Sequence, residues 1–183
     1  MKKIGITTPN LWAGEASAIC SLLDQTLDFV HIRKPSATCM EVEALIRLIP
    51  QEYHARLVLH NHHELSNQFA FKALHLNHSY PTPPSQYTGA LTRSCHSLHE
   101  LVDLSPYTYV FLSPIYNSIS KQGYKAAFTT AQLEEAFRQG LINQKVIALG
   151  GVTPSHFTQL QSYGFGGAAM MGYLWTSNTI QGK

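Results

Sequence analysis

The sequence has few charged residues and few cysteines. Only 13% of its 183 residues are Asp, Glu, Lys or Arg, and the formal net charge is +2. This balance provides no basic patch of the kind that binds nucleic acid or an anionic membrane surface. The three cysteines show no CxxC spacing, which is typical of a protein in a reducing compartment.

Long apolar runs are also missing. The N-terminal lysines precede a short mixed stretch, which does not have the pattern of a signal peptide, and no run is long enough to span a bilayer. The apolar content of 44% nevertheless provides a core for one domain of this length. We therefore expect a cytoplasmic protein with a single domain, residues 1–183, and no nucleic-acid or membrane partner. The sequence leaves a homo-oligomer open.

Eight short apolar segments alternate with helical patterns, and this alternation predicts a (β/α)8 TIM barrel. The chain is short against the usual length of about 250 residues. The connections between strands three and five are the short ones, and Pro81, Pro83 and Pro84 exclude a long helix there. The predicted strands cover residues 3–7, 28–33, 56–61, 73–77, 89–94, 108–115, 146–149 and 168–171.

Glycines follow the last two predicted strands. Residues 145–153 read KVIALGGVT, with Gly150 and Gly151 after the apolar run, and the next strand ends at Met171 and Gly172. The ends of the last strands of a (β/α)8 barrel frequently bind phosphate. The backbone of the three glycines is therefore a candidate phosphate site, with simple chain turns as the alternative.

Two further strand ends carry polar side chains. The period-2 rule places His31 and Arg33 inside the barrel, and a buried Arg indicates either an anionic ligand or a structural ion pair. Ser94 and His96 share a face at the end of strand five. A histidine at the barrel mouth can transfer protons near neutral pH, although a purely structural histidine is the alternative.

Histidines after strands three and four raise the question of a metal. His60 and His62 have the spacing of an HxH site, with Glu64 as the nearby carboxylate. Because carboxylate co-ligands are scarce here, we expect packing or solvent-edge roles and no metal site.

The loop after strand six is long and polar. It covers residues 116–128, and its hydroxyl and lysine side chains suit a lid over an anion. A disordered surface loop is the alternative. The candidate ligand-binding residues in it are Ser118, Ser120 and Lys121.

Seven motifs in consecutive order resemble one known family. They are HIRKP, HN, LHLN, RSCHS, SPIYNSISK, ALGGVTP and GFGGAAMMG. Together they resemble the thiamine phosphate synthase superfamily, which includes a thiazole tautomerase branch. The resemblance implies a (β/α)8 barrel with a phosphorylated thiazole as its ligand, in contact with Arg33, Asn61 and Ser94.

The synthase branch joins a pyrimidine pyrophosphate to a thiazole phosphate and uses Mg²⁺. Its acidic metal ligand after strand three is replaced here by His62, and the second acid after strand four is absent from the stretch 78–80. Pro35 also stands where that branch has a lysine. Imidazole is a poor ligand for a hard cation, so these differences disfavour the synthase reaction.

The tautomerase branch uses no metal cofactor. Its Ser-x-His-Ser pattern is present as residues 94–97, which makes His96 the implied general acid/base on a carboxythiazole phosphate. The implied phosphate donors are the N–H groups of Gly151, Met171 and Gly172, the last in place of a family serine.

We therefore predict a thiazole tautomerase-like proton-transfer enzyme without a cofactor. Three alternatives remain: thiamine phosphate synthase with Mg²⁺, a non-catalytic barrel that binds a thiamine precursor, and a histidine-based metallohydrolase.

Overall fold

Eight parallel strands close into a barrel in the computed structural model, which describes residues 1–117 and 125–175. The strands pair in chain order, and the last pairs with the first. The predicted TIM barrel is confirmed, with most strands one to three residues shorter than expected. The strands are β1 Lys2–Ile6, β2 Phe29–Ile32, β3 Leu57–Leu59, β4 Ala73–Leu76, β5 Leu91–Cys95, β6 Tyr109–Leu112, β7 Val146–Ala148 and β8 Gly167–Met170.

Helices cover the barrel unevenly. The α-helices of the described residues are α1 Glu15–Gln25, α2 Cys39–Arg47, α3 Thr130–Arg138 and α4 Phe157–Ser162. Short 3₁₀ helices lie at Gln51–Arg56, His63–Asn67, Leu98–Leu101 and Pro154–His156. No α-helix lies between β3 and β6, so the compressed middle of the barrel is confirmed. None of the helices in the described part has the length and apolar content needed to cross a membrane.

Local sequence signals set the starts of two helices. The Thr38 hydroxyl accepts the Glu41 N–H, and the Glu41 carboxylate accepts the Thr38 N–H at 2.7 Å. Thr129 and Gln132 form the same reciprocal pair at the start of α3. Each capping box satisfies backbone N–H groups that a helix leaves free in its first turn.

The core has two layers, as expected for strands buried on both faces. A larger cluster of aliphatic side chains fills the space between the strands and the helices. A smaller cluster fills the barrel interior, where Tyr109 and Phe111 from β6 pack against Ile4, Ile6 and Ile147. The strict alternation along β6 thus assigns one set of side chains to each layer.

A buried ion pair joins β2 to α1 outside the barrel. Lys34 Nζ lies 2.5 Å from Glu15 Oε1 and also donates to the carbonyl oxygens of Thr8 and Asn10, both at 2.8 Å. Both charged side chains are about 1% exposed. Burial raises the pKa of Glu15 and lowers the pKa of Lys34, and the contact between them opposes both shifts. Lys34 is therefore a structural residue.

Breaking this pair from one side should be costly. We expect Lys34→Met to lower the free energy of unfolding by about 3–5 kcal/mol, because it leaves the Glu15 carboxylate buried without a cation. The double variant Glu15→Leu/Lys34→Met should recover part of that loss. Urea denaturation measures both. The control Arg47→Met removes an exposed pair with Glu43 and should cost less than about 1 kcal/mol. A double variant no more stable than Lys34→Met would contradict the interpretation.

Candidate functional site

The carboxyl ends of the strands surround a cavity of about 710 Å³. Its wall combines apolar residues such as Ile6 and Phe111 with polar side chains from several strand ends. Six of the predicted site residues line it: Arg33, Asn61, Ser94, His96, Gly150 and Met171. Gly151 and Gly172 are neighbours of this wall in the chain. Ser118, Ser120 and Lys121 lie outside the described residues.

Arg33 provides a positive charge in the cavity wall. Its backbone is held by Thr7, whose hydroxyl accepts the Arg33 N–H at 2.9 Å. Its guanidinium forms no ion pair or hydrogen bond with any residue in the ranges 1–117 and 125–175. The buried ion pair of this region instead belongs to Lys34. An unpaired guanidinium in a cavity favours an anionic ligand.

His96 is oriented by two neighbours. Its backbone N–H donates a hydrogen bond to Glu100 Oε1 at 3.0 Å, and this bond fixes the backbone at the end of β5. Its Nδ1 lies 3.1 Å from the carbonyl oxygen of Ser113, which can only accept a hydrogen bond, and 3.3 Å from the Ser113 hydroxyl, which can accept or donate. The nearer carbonyl oxygen favours the tautomer of a neutral His96 that carries its proton on Nδ1, and Nε2 forms no hydrogen bond with a described residue.

Ser94 is held on the inner face of β5. Its Oγ lies 3.0 Å from Nε2 of His75, whose Nδ1 lies 2.9 Å from the hydroxyl of Thr92. The neighbouring Cys95 is fully buried on the outer side, among the residues between sheet and helices. This alternation along β5 agrees with the prediction from sequence.

Three buried histidines lie in the barrel interior. They include His60 of the predicted HxH pair but not His62. His31, His60 and His75 come from β2, the end of β3, and β4, and each is at most 5% exposed. His62 has a positive φ of 57° and turns away, so that its Nε2 contacts the carbonyl oxygen of Ala37 at 2.9 Å. Sequence reasoning placed His31 inside the barrel but did not connect the three rings.

Burial keeps these histidines neutral. Desolvation lowers the pKa of His31 and of His60 well below the usual value. Desolvation, with smaller effects of His63 and Arg33, lowers the pKa of His75 to about 3.

The geometry of the three rings does not suit a shared metal ion. Their nearest nitrogens lie within 4.8 Å of one another. However, His60 and His75 are stacked, with ring centroids 4.0 Å apart and planes at 17°. Since imidazole lone pairs lie in the ring plane, stacked rings cannot both point at one ion. The Nδ1 of His31 is also only 2.7 Å from His60 Nε2, which is a hydrogen-bond distance.

The cavity wall contains no carboxylate. Among the residues that line it there is no Asp or Glu, and residues 118–124 and 176–183 contain none in their sequence. Its oxygen donors are amide, hydroxyl and carbonyl groups. Position 62, where the synthase pattern has an acidic metal ligand, does not reach the wall at all. This donor set does not fit Mg²⁺, which binds proteins through carboxylates.

The glycines after β7 meet a conformational requirement. Gly150 and Gly151 have φ angles of 94° and 64°, which favour glycine. A Cβ on Gly151 would collide with the backbone carbonyl of Asn117, so the loop after β6, and not open ligand space, lies against it. The N–H groups of Gly150, Gly151 and Gly172 donate to no other described residue. They are therefore candidate donors to an anion.

Comparison with known proteins identifies the family of the barrel. A family model described as thiamine monophosphate synthase matches residues 6–174. A search of curated proteins finds no match.

Solved structures agree with this result. A thiamine phosphate pyrophosphorylase from Bacteroides thetaiotaomicron is 39% identical, with a TM-score of 0.87 over 96% of this chain and 85% of that chain. A thiamine phosphate pyrophosphorylase from Pyrococcus furiosus is 15% identical, with a TM-score of 0.72 over 98% of this chain and 90% of that one. At that identity the second likeness shows the fold alone. The chain belongs to the thiamine monophosphate synthase family.

Proposed function

We propose that this barrel is an enzyme of thiamine-precursor metabolism that binds a phosphorylated thiazole at its mouth. The observation that carries the proposal is the charge of the cavity wall. It contains the guanidinium of Arg33, which has no partner among the described residues, and no carboxylate. Such a wall favours an anionic ligand and offers no site for a hard cation.

The phosphate would bind at the ends of β7 and β8. The N–H groups of Gly150, Gly151 and Gly172 have no partner among the described residues and lie at two adjacent strand ends. Backbone N–H groups at such positions bind phosphate in other (β/α)8 barrels. The thiazole ring would then extend across the cavity toward Arg33, Asn61 and Ser94.

His96 would carry out the proton transfer of a thiazole tautomerase. Its free Nε2 would take a proton from a ring carbon of the carboxythiazole phosphate and return it to the exocyclic carbon. The exocyclic double bond moves into the ring, which becomes aromatic, and no electrons or protons are gained or lost overall. The contact between Nδ1 and the carbonyl oxygen of Ser113 would hold the ring in place during both steps.

Thiamine phosphate synthase is the second candidate, and the comparisons support it better than they support the tautomerase. The family model carries that name, and the 39% identical structure is that of a thiamine phosphate pyrophosphorylase. The absence of a carboxylate in the cavity wall opposes it. Overall similarity and local chemistry therefore point to different reactions on the same ligand, and experiment can separate them.

Replacing Arg33 should weaken ligand binding without changing the fold. We expect Arg33→Met to reduce the affinity for a phosphorylated thiazole by about 10- to 100-fold, because a charged hydrogen bond is lost. Isothermal titration calorimetry measures the affinity. The control Arg138→Met removes an exposed arginine of α3 that is paired with Glu135 and should leave binding unchanged. Equal affinities for the two variants would exclude Arg33 from the site.

Replacing His96 should separate binding from chemistry. We expect His96→Asn to bind carboxythiazole phosphate normally while its tautomer conversion falls by about 10²- to 10⁴-fold. NMR of the conversion in D₂O follows both the rate and the position of the incorporated deuterium. His99→Asn, a variant outside the cavity wall, is the control. Conversion at the wild-type rate in His96→Asn would make His96 structural, and a wild type that binds without converting would favour a non-catalytic barrel.

The missing carboxylates predict weak synthase activity. With pyrimidine pyrophosphate, thiazole phosphate and Mg²⁺, we expect formation of thiamine phosphate at least about 100-fold slower than by an authentic synthase, because the leaving group lacks its metal. Liquid chromatography of the product measures the rate. Mg²⁺-dependent turnover comparable with that of the authentic synthase would make synthase the function.

A further inference from the structure

A chain of hydrogen bonds leads from the barrel interior to the cavity. Tyr109 on β6 has its hydroxyl oxygen 2.6 Å from Nε2 of His31 on β2. The other ring nitrogen of His31, Nδ1, lies 2.7 Å from Nε2 of His60. His60 also lines the cavity, whereas Tyr109 and His31 are about 1% exposed or less. Three side chains from three strands thus connect a buried hydroxyl to the ligand space.

The hydroxyl of Tyr109 determines where the protons of this chain lie. Burial raises the pKa of Tyr109, so the phenol keeps its proton. His31 is the hydrogen-bond partner of this hydroxyl among the described residues, so the O–H donates to His31 Nε2. A neutral imidazole carries one proton, and His31 must then donate from Nδ1 to His60 Nε2. The proton of His60 is consequently on Nδ1, the ring nitrogen left for the cavity.

The charges around His60 favour this neutral form. Desolvation lowers the pKa of His60, and the groups that act on it are His75, His31, Arg33 and His63, none of them acidic. His60 Nδ1 forms no hydrogen bond with a described residue, and His60 lines the cavity.

Stacking fixes the plane of the His60 ring. The His75 ring lies parallel to it at 4.0 Å, and both nitrogens of His75 are held by the hydroxyls of Thr92 and Ser94. The direction of the His60 N–H is therefore set by the barrel and does not require a ligand. A group fixed in this way loses little conformational freedom when it binds.

We propose that His60 is a ligand-binding residue whose neutral Nδ1–H donates a hydrogen bond to the ring or carboxylate of the bound thiazole, with Tyr109 and His31 as positioning residues. The barrel order supports this assignment, because β3 lies opposite β7 in the ring of eight strands. A phosphate at β7 and β8 would place the thiazole ring toward His60. The identity of the ligand rests on the proposed function, whereas the tautomer of His60 is a property of the free protein.

The first test is ¹⁵N NMR of the ligand-free protein labelled at histidine. We expect the His60 signals at pH 7 to show a protonated Nδ1 and an unprotonated Nε2, with assignment by their loss in His60→Gln. The reverse tautomer, or an imidazolium, would overturn the proposal. This result requires no thiazole, so it remains decisive even if the proposed function fails.

The second test removes the hydroxyl that orders the chain. In Tyr109→Phe we expect His60 to lose its single tautomer and the affinity for carboxythiazole phosphate to fall by about three- to tenfold, as for one lost hydrogen bond. Tyr53→Phe, which removes a hydroxyl bonded to Asp24 on the outer surface, should change neither. An unchanged His60 tautomer in a folded Tyr109→Phe would overturn the positioning role.

The third test adds carboxythiazole phosphate to the wild type. We expect the His60 Nδ1 signal to shift on binding. Binding without any change at His60 would overturn the ligand contact. A complete lack of binding would instead contradict the proposed function and leave the tautomer result to decide the positioning role.

Discussion

The pairing of β8 with β1 is the interaction on which the site depends. Residues Lys2 to Gly5 pair in register with Gly167 to Met170, and this ladder closes a sheet that is otherwise built in chain order. Closure removes both sheet edges and brings eight strand ends to one mouth. Only then do Arg33 after β2 and His96 after β5 share a cavity with Gly150 after β7.

The distribution of charge gives this mouth its chemistry. The carboxylates of the chain lie outside the cavity wall. Glu15 is in the buried pair with Lys34, and Glu100 caps the 3₁₀ helix after β5. The cavity wall contains the guanidinium groups of Arg33 and Arg93, the buried imidazoles of His60 and His75, and the backbone of Gly150. The chain shares its family with thiamine phosphate pyrophosphorylases, but the described cavity wall contains no carboxylate.

Alternation along the strands was sufficient to predict which of these side chains face the barrel interior. It placed His31 inside the barrel and put Ser94 and His96 on one face, because successive side chains of a strand point to opposite sides. It could not join His31 to Tyr109, which lies 78 residues later, because that contact depends on barrel closure and register. The left-handed backbone of His62, which removes it from the expected HxH pair, also had no signal in the sequence.

Calorimetric titration with carboxythiazole phosphate, first in EDTA and then in Mg²⁺, tests the central claim that this wall binds an anion without a metal. We expect the same dissociation constant in both buffers. Binding that appears only with Mg²⁺ would contradict it, because the cation would then supply the contacts assigned here to Arg33 and the backbone N–H groups.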